Sequence, residues 1–174
     1  VVTSGVEDAQ TLTITLNATN YTGSISSNSV TITISATDLQ ALSEGTNTIT
    51  ANVSDAAGNA ASQSSTTFTY DKTSPSITSI TPSWGSHLNA TEDNSSGTVT
   101  VVTSGVEDGQ TVTVGLNGTN YTGSVSSDSV TVTISATDLQ ALSEGTNTIT
   151  ADVSDIAGNA ASQSSTTFVY DKTS

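Results

Sequence analysis

Two acids stand side by side at Glu107-Asp108, and Asp155 is followed four residues later by Asn159. The same groups occur a hundred residues earlier, as Glu7-Asp8 and as Asp55 with Asn59. Carboxylates in such groups can do two kinds of chemistry. They can trade protons as general acid and base, or they can offer hard oxygens to a cation. Asp71 and Asp171, each followed by Lys-Thr-Ser, add one more acid at the end of each copy. Sixteen Asp and Glu residues face only Lys72 and Lys172, so the 174-residue chain carries a formal net charge of -14. Nucleic acid and anionic membranes demand a basic surface, and neither is expected as a partner. A cation is the partner that this charge invites; an acidic coat kept for solubility is the plain alternative.

What positions these acids is a repeat. Residues 1–74 align with 101–174 without gaps and with eleven differences, most of them conservative, such as Leu12/Val112, Ile14/Val114 and Ile32/Val132. The repeating module is therefore about a hundred residues, a common domain size. The stretch Asp71-Lys72-Thr73-Ser74-Pro75 is the natural joint, because Pro75 interrupts strand pairing and favours extended backbone before it. On this division residues 1–71 form one domain that lacks the counterpart of 75–100, its opening strand region, and 72–174 form a complete one. No cysteine is present, so no disulfide can staple these small domains, and a structural metal is the usual substitute. No apolar run is long enough to span a bilayer, and membrane insertion is not expected.

Within the complete module, apolar and Thr residues alternate: Val99 and Val101, then Val112, Val114 and Leu116, then Val130, Val132 and Ile134, then Ile149, Ala151 and Val153. Period two places one face in a core and the other in water. Ile77 and Ile80 mark an irregular first strand, and Phe168 and Tyr170 share a face of the last. Asn117-Gly118 is a two-residue hairpin signal. One stretch breaks the period. Thr137 or Asp138 is expected to cap a single helical turn, with Leu139 and Leu142 facing inward and Gly145 ending it. About seven short strands per hundred residues give an all-β fold of tandem Ig-like β-sandwich domains; a small closed barrel is the alternative.

In such a sandwich the loop holding Glu107 and Asp108 and the loop holding Asp155 and Asn159 lie at the pole that also receives the N-terminus. The preceding module delivers Asp71 to that pole. Oxygens converging from three segments suit Ca²⁺, which takes six to eight hard oxygen ligands. Without a cation the carboxylates would repel one another. Glu7, Asp8, Asp55 and Asn59 form the equivalent set in the first module, and Asp171 the equivalent of Asp71. Asp, Asn and Gly also make turns with no ligand at all, which is the bland reading of these loops.

Asp155-Ile156-Ala157-Gly158-Asn159-Ala160-Ala161, followed by Thr167-Phe168-Val169-Tyr170-Asp171-Lys172-Thr173-Ser174, resembles the closing signature of bacterial Ig-like repeats. The Asn117-Gly118 hairpin leading to Tyr121-Thr122-Gly123, and the Asp138-Leu139 to Leu142 to Gly145 turn, resemble the same family over essentially the whole chain. The resemblance is to the extender regions of large type I-secreted, RTX-type adhesins, similar to ice-binding and biofilm adhesins. It implies a stalk segment on the bacterial cell surface, rigidified by Ca²⁺ at the linkers between neighbouring repeats of one chain, and it matches Asp71, Asp108, Asp155 and Asn159 to acidic or amide positions of the family pattern. The Gly-rich nonapeptides of the secretion region are absent here.

Two other classes of function compete with this reading. An enzyme is disfavoured: His87 is the only histidine, cysteine is absent, and the acids recur in a repeated module. Direct ligand binding, to sugar through Trp84 or to ice through rows such as Thr111-Val112-Thr113, is the second reading. A twisted sandwich sheet does not give flat Thr rows, so these read as solvent faces of ordinary strands. The chain is expected to be an extracellular monomer.

Overall fold

Alternation of Val or Ile with Thr governs both copies, and the computed structural model, which describes residues 1–173, shows what it builds. The chain divides into two compact units, Val1–Asp71 and from Lys72 onward.

The first unit holds β1 (Thr11–Leu16), β2 (Thr19–Ser24), a helical turn α1 (Ala36–Gln40), β3 (Gly45–Asn52) and β4 (Ser64–Tyr70). They make one antiparallel sheet in the order β2-β1-β3-β4. Leu12, Ile14, Ile25 and Val30 form its core.

The second unit holds β5 (Ser76–Pro82), β6 (His87–Asn89), β7 (Gly97–Ser104), β8 (Thr111–Leu116), β9 (Thr119–Ser124), β10 (Ser129–Ile134), α2 (Ala136–Gln140), β11 (Gly145–Asp152) and β12 (Ser164–Asp171). A five-stranded sheet, β6-β12-β11-β8-β9, and a three-stranded sheet, β10-β7-β5, complete an Ig-like β-sandwich rather than a closed barrel. Val99, Val101, Val112, Val114, Ile149 and Phe168 are fully buried between them. Trp84 meets Phe168 edge to face, with ring centroids 5.2 Å apart. The same indole explains Gly97: a Cβ there would lie 2.5 Å from the Trp84 ring.

Several local expectations are met. Asn117 and Gly118 join β8 to β9 with φ of 49° and 77°, the left-handed pair that a tight hairpin requires. The first strand is irregular as expected, with a shift of register between Ile77 and Ser79. Leu139 and Leu142 are buried. The cap of the helical turn is a correction. Neither Thr137 nor Asp138 caps it; Ser135 does, its hydroxyl accepting from the Asp138 N–H at 3.1 Å. Ser135 Oγ in turn donates to Asp138 Oδ2 at 2.7 Å, so the acid holds the capping hydroxyl in place. Nor does Gly145 end the turn: Ala141 is its C-cap, and Gly145, at φ 101°, opens β11.

Candidate metal centre

Four candidate ligands of the second unit, Glu107, Asp108, Asp155 and Asn159, sit on two loops that strands bring to one pole. β7 ends at Ser104 and β8 begins at Thr111, so residues 105–110 form a return loop carrying Glu107 and Asp108. β11 ends at Asp152 and β12 begins at Ser164, and Asp155 and Asn159 lie between. Glu107 ties the two loops together: its Oε2 accepts the backbone N–H of Ile156 at 3.0 Å. Asp108 faces another way. Its Oδ1 accepts the Ser127 N–H at 2.7 Å and holds the β9–β10 turn, where Ser127 and Asp128 both have positive φ.

Asp155 is buried, and both of its oxygens accept from Asn159: Oδ1 from the backbone N–H at 2.8 Å and Oδ2 from the side-chain amide at 2.9 Å. The return bond, from the Asp155 N–H to the Asn159 carbonyl, closes the turn at 3.1 Å. Gly158 takes φ 91° inside that turn, where a side chain would be strained. Burial works against ionisation of Asp155, but the bonds from Asn159 and from the Gly158 and Ala157 amides hold its carboxyl below the ordinary range.

The first unit repeats this geometry. Glu7 accepts from the Ala56 N–H at 2.9 Å, Asp8 from the Ser27 N–H at 2.8 Å, and Asp55 from the Asn59 N–H and side-chain amide at 2.7 and 2.8 Å. The side-chain bond from Asn59, then its backbone bond, holds the Asp55 carboxyl low.

Asp171 lies at the other end of β12 from this pole, seven strand steps from Ser164, or roughly 23 Å at about 3.3 Å per residue. Its Oδ1 accepts from the Thr173 N–H and hydroxyl at 2.9 and 2.7 Å, and those bonds lower its pKa. Asp71 directly follows β4 and is half-buried.

The donor chemistry suits a hard cation in part. Glu107 and Asp155 are carboxylates on loops that one hydrogen bond holds adjacent, and Ca²⁺ accepts such oxygens. Among the described residues, however, no three His, Asp or Glu side chains gather to hold a metal ion. A single pole supplies fewer oxygens than the ion needs, and several are already engaged by N–H donors. Backbone carbonyls and groups from outside the unit would have to complete the shell.

One acid has a role that the chain order did not reveal. Asp93, in the short 3₁₀ turn Glu92–Asn94, is buried and accepts the hydroxyl of Tyr170 on β12. Its backbone carbonyl also accepts from the Gln140 amide at 3.2 Å. Lys172 Nζ stands 5.0 Å from the centre of the Tyr170 ring.

A family model, the bacterial Ig-like domain, matches residues 1–72. Residues 101–172 are the near-identical second copy of that stretch. Among solved structures, a Ca²⁺-stabilised adhesin by which an Antarctic bacterium reaches out and binds ice is similar over 99% of this chain and 43% of its own, at 23% identity and TM-score 0.55. A 1.5-MDa bacterial ice-binding adhesin, described for its retention at the host cell surface, is similar over 98% of this chain and 56% of its own, again at 23% identity and TM-score 0.55. Fibronectin(III)-like modules of Clostridium thermocellum CbhA share the fold at 14% identity, over 99% of this chain and 83% of theirs, with TM-score 0.53. This chain thus spans about half the length of the adhesin chains it resembles. No curated protein matches it in sequence.

Proposed function

We propose that this chain is an extender segment of a bacterial cell-surface adhesin, a non-enzymatic stalk that Ca²⁺ stiffens at the linkers between repeats and that projects ligand-binding domains from the cell. The observation that carries this reading is the repetition of one acidic pole. Glu7, Asp8, Asp55 and Asn59 are arranged as Glu107, Asp108, Asp155 and Asn159 are, bond for bond. A chain of near-identical modules that each keep this pole adds length without adding a new activity.

Asp71 precedes the second repeat in sequence, and we assign it to the same ion as Glu107, Asp108, Asp155 and Asn159; Asp171 would serve the next repeat. The folded state alone would assemble such a site, so its stability would rise with free Ca²⁺. Where Ca²⁺ is scarce, as in the cytosol, the array would be loose enough for type I secretion and would fold outside. The acidic surface opposes aggregation of neighbouring identical repeats and favours a monomer.

Small-angle scattering of the chain in EDTA and in millimolar CaCl₂ tests the stiffening. The expected result is a longer, narrower distance distribution with Ca²⁺ and no such change with MgCl₂. The same broad distribution in both buffers would overturn it.

A further inference from the structure

The two repeats make the same hairpin turn with different residues. The pair Leu16↔Thr19 closes β1 onto β2, and Leu116↔Thr119 closes β8 onto β9. Between them, Asn17 and Ala18 stand at φ 47° and 61°, and Asn117 and Gly118 at 49° and 77°. Glycine accepts this left-handed backbone freely, whereas the Cβ of Ala18 is strained there. No neighbour requires the glycine, since a Cβ at Gly118 would meet nothing within 4 Å. The turn therefore forms with either residue, and the two versions differ in what the second backbone nitrogen can reach.

Asn117-Gly118 is the one Asn-Gly pair in the chain, and both residues are exposed at the hairpin tip. The Gly118 N–H lies outside the ladder, whose last pair is Leu116↔Thr119. With no Cβ beside it, this nitrogen is the least hindered backbone nucleophile that can follow an asparagine. At Asn17 the Cβ of Ala18 stands beside the same nitrogen. The parallel acidic pair, Asp108-Gly109, is restrained, because Asp108 Oδ1 accepts the Ser127 N–H at 2.7 Å.

We propose that Asn117 is a site of spontaneous covalent modification, deamidation through a cyclic imide, to which its counterpart Asn17 is resistant. The Gly118 nitrogen gives up its proton and bonds to the Asn117 side-chain carbonyl carbon; the bond from that carbon to the amide nitrogen breaks, and ammonia leaves. Water then opens the five-membered imide. Cleavage of the bond from the side-chain carbon to the Gly118 nitrogen gives aspartate, and cleavage of the bond from the backbone carbon gives isoaspartate. Either product adds a negative charge. Aspartate keeps the turn, since Asp-Gly accepts the same backbone. Isoaspartate puts an extra carbon into the main chain and breaks the two-residue geometry. β9 is an edge strand that pairs with β8 alone, so this product loosens it from the sheet. The repeat with Ala18 thus keeps a strained turn that lasts, and the repeat with Gly118 a relaxed one that ages.

The test incubates the folded chain in neutral and in mildly alkaline buffer and digests samples with trypsin, which cuts after Lys72 and Lys172 and so gives one peptide per repeat. Fragment masses locate the change from amide to acid, and isoaspartyl methyltransferase labels the isoaspartate. Acid should accumulate at 117, faster in the alkaline buffer because the attacking nitrogen must lose its proton, while Asn17 keeps its amide. Gly118→Ala, a residue the first repeat shows the turn to accept, should stop the reaction at 117. Ala18→Gly should start it at 17. Three results would overturn the proposal: equal conversion at 17 and 117, conversion in the Gly118→Ala chain as fast as in the parent, or conversion at 117 only after unfolding in urea, which would mean that the folded turn holds the nitrogen and the side-chain carbon apart.

Discussion

The Glu107 carboxylate accepts the backbone N–H of Ile156 across 49 residues of chain, and Glu7 accepts the N–H of Ala56 in the same way. Each bond laces the loop that enters one sheet strand to the loop that leaves another. The acid oxygens of this pole therefore hold the loops in shape.

Substitution of Glu107 by Ala should free the Ile156 N–H and loosen the 155–159 turn. The expected cost is about 1 kcal/mol, that of an ordinary hydrogen bond and less than a buried charge-assisted one, because the carboxylate is exposed. Denaturant unfolding of the second unit would measure the loss, and amide exchange should quicken at Ile156 before it does at Val114. Unchanged exchange at Ile156 would show that the bond does not shape the loop.

The Asp155 carboxyl is held below its ordinary range in the fold. A lowered carboxyl pKa contributes stability that is present above the unfolded value and is lost as pH falls through the folded one. The second unit should therefore weaken on acidification below about pH 4. Asp155→Asn should flatten that acid dependence, since an amide does not titrate. Urea midpoints at pH 6 and pH 3 for both proteins give the comparison.

Burial first, then the hydrogen bond to Asp93 and the charges of Asp93 and Glu144, push the Tyr170 hydroxyl up to about 12 from its ordinary value of 10. A raised pKa gives stability that is complete below the unfolded value and is lost as pH climbs through the folded one. The second unit should thus lose stability between about pH 10 and 12. Tyr170→Phe should remove that alkaline arm and, at neutral pH, cost about 1–3 kcal/mol by leaving the buried Asp93 without its donor. An alkaline arm of the same size in the variant would assign it to another group.

Much of the strand order was legible because each strand keeps period two: Val112, Val114 and Leu116 face the core as their spacing with Thr111, Thr113 and Gly115 requires. The Asn117-Gly118 hairpin was legible because few residue pairs accept two left-handed positions in succession. The helical turn was placed but not its cap, since Ser135, Thr137 and Asp138 are all good cap residues and only the backbone at Ser135, with φ -67° and ψ 152°, decides among them. The acidic loops were legible as loops. Their partners were not, because the N–H groups of Ile156 and Ser127 carry no side-chain signature. Asp93 carries no local signal of its role, because its partner, Tyr170, lies 77 residues away and is brought near it by the parallel pairing of β6 with β12.

The most direct test of a Ca²⁺-stiffened extender is thermal unfolding of the chain in excess EDTA and in millimolar CaCl₂, with MgCl₂ as the control. An ion bound at about a hundred times its dissociation constant adds about 2.7 kcal/mol, which in a domain of this size is a rise in melting temperature of about 10 °C or more. The account predicts that rise with Ca²⁺, little change with Mg²⁺, and its loss in a chain carrying Asp71→Asn and Asp155→Asn together. Identical melting in all three buffers would contradict it and leave the acids as staples of their own loops and a coat against aggregation.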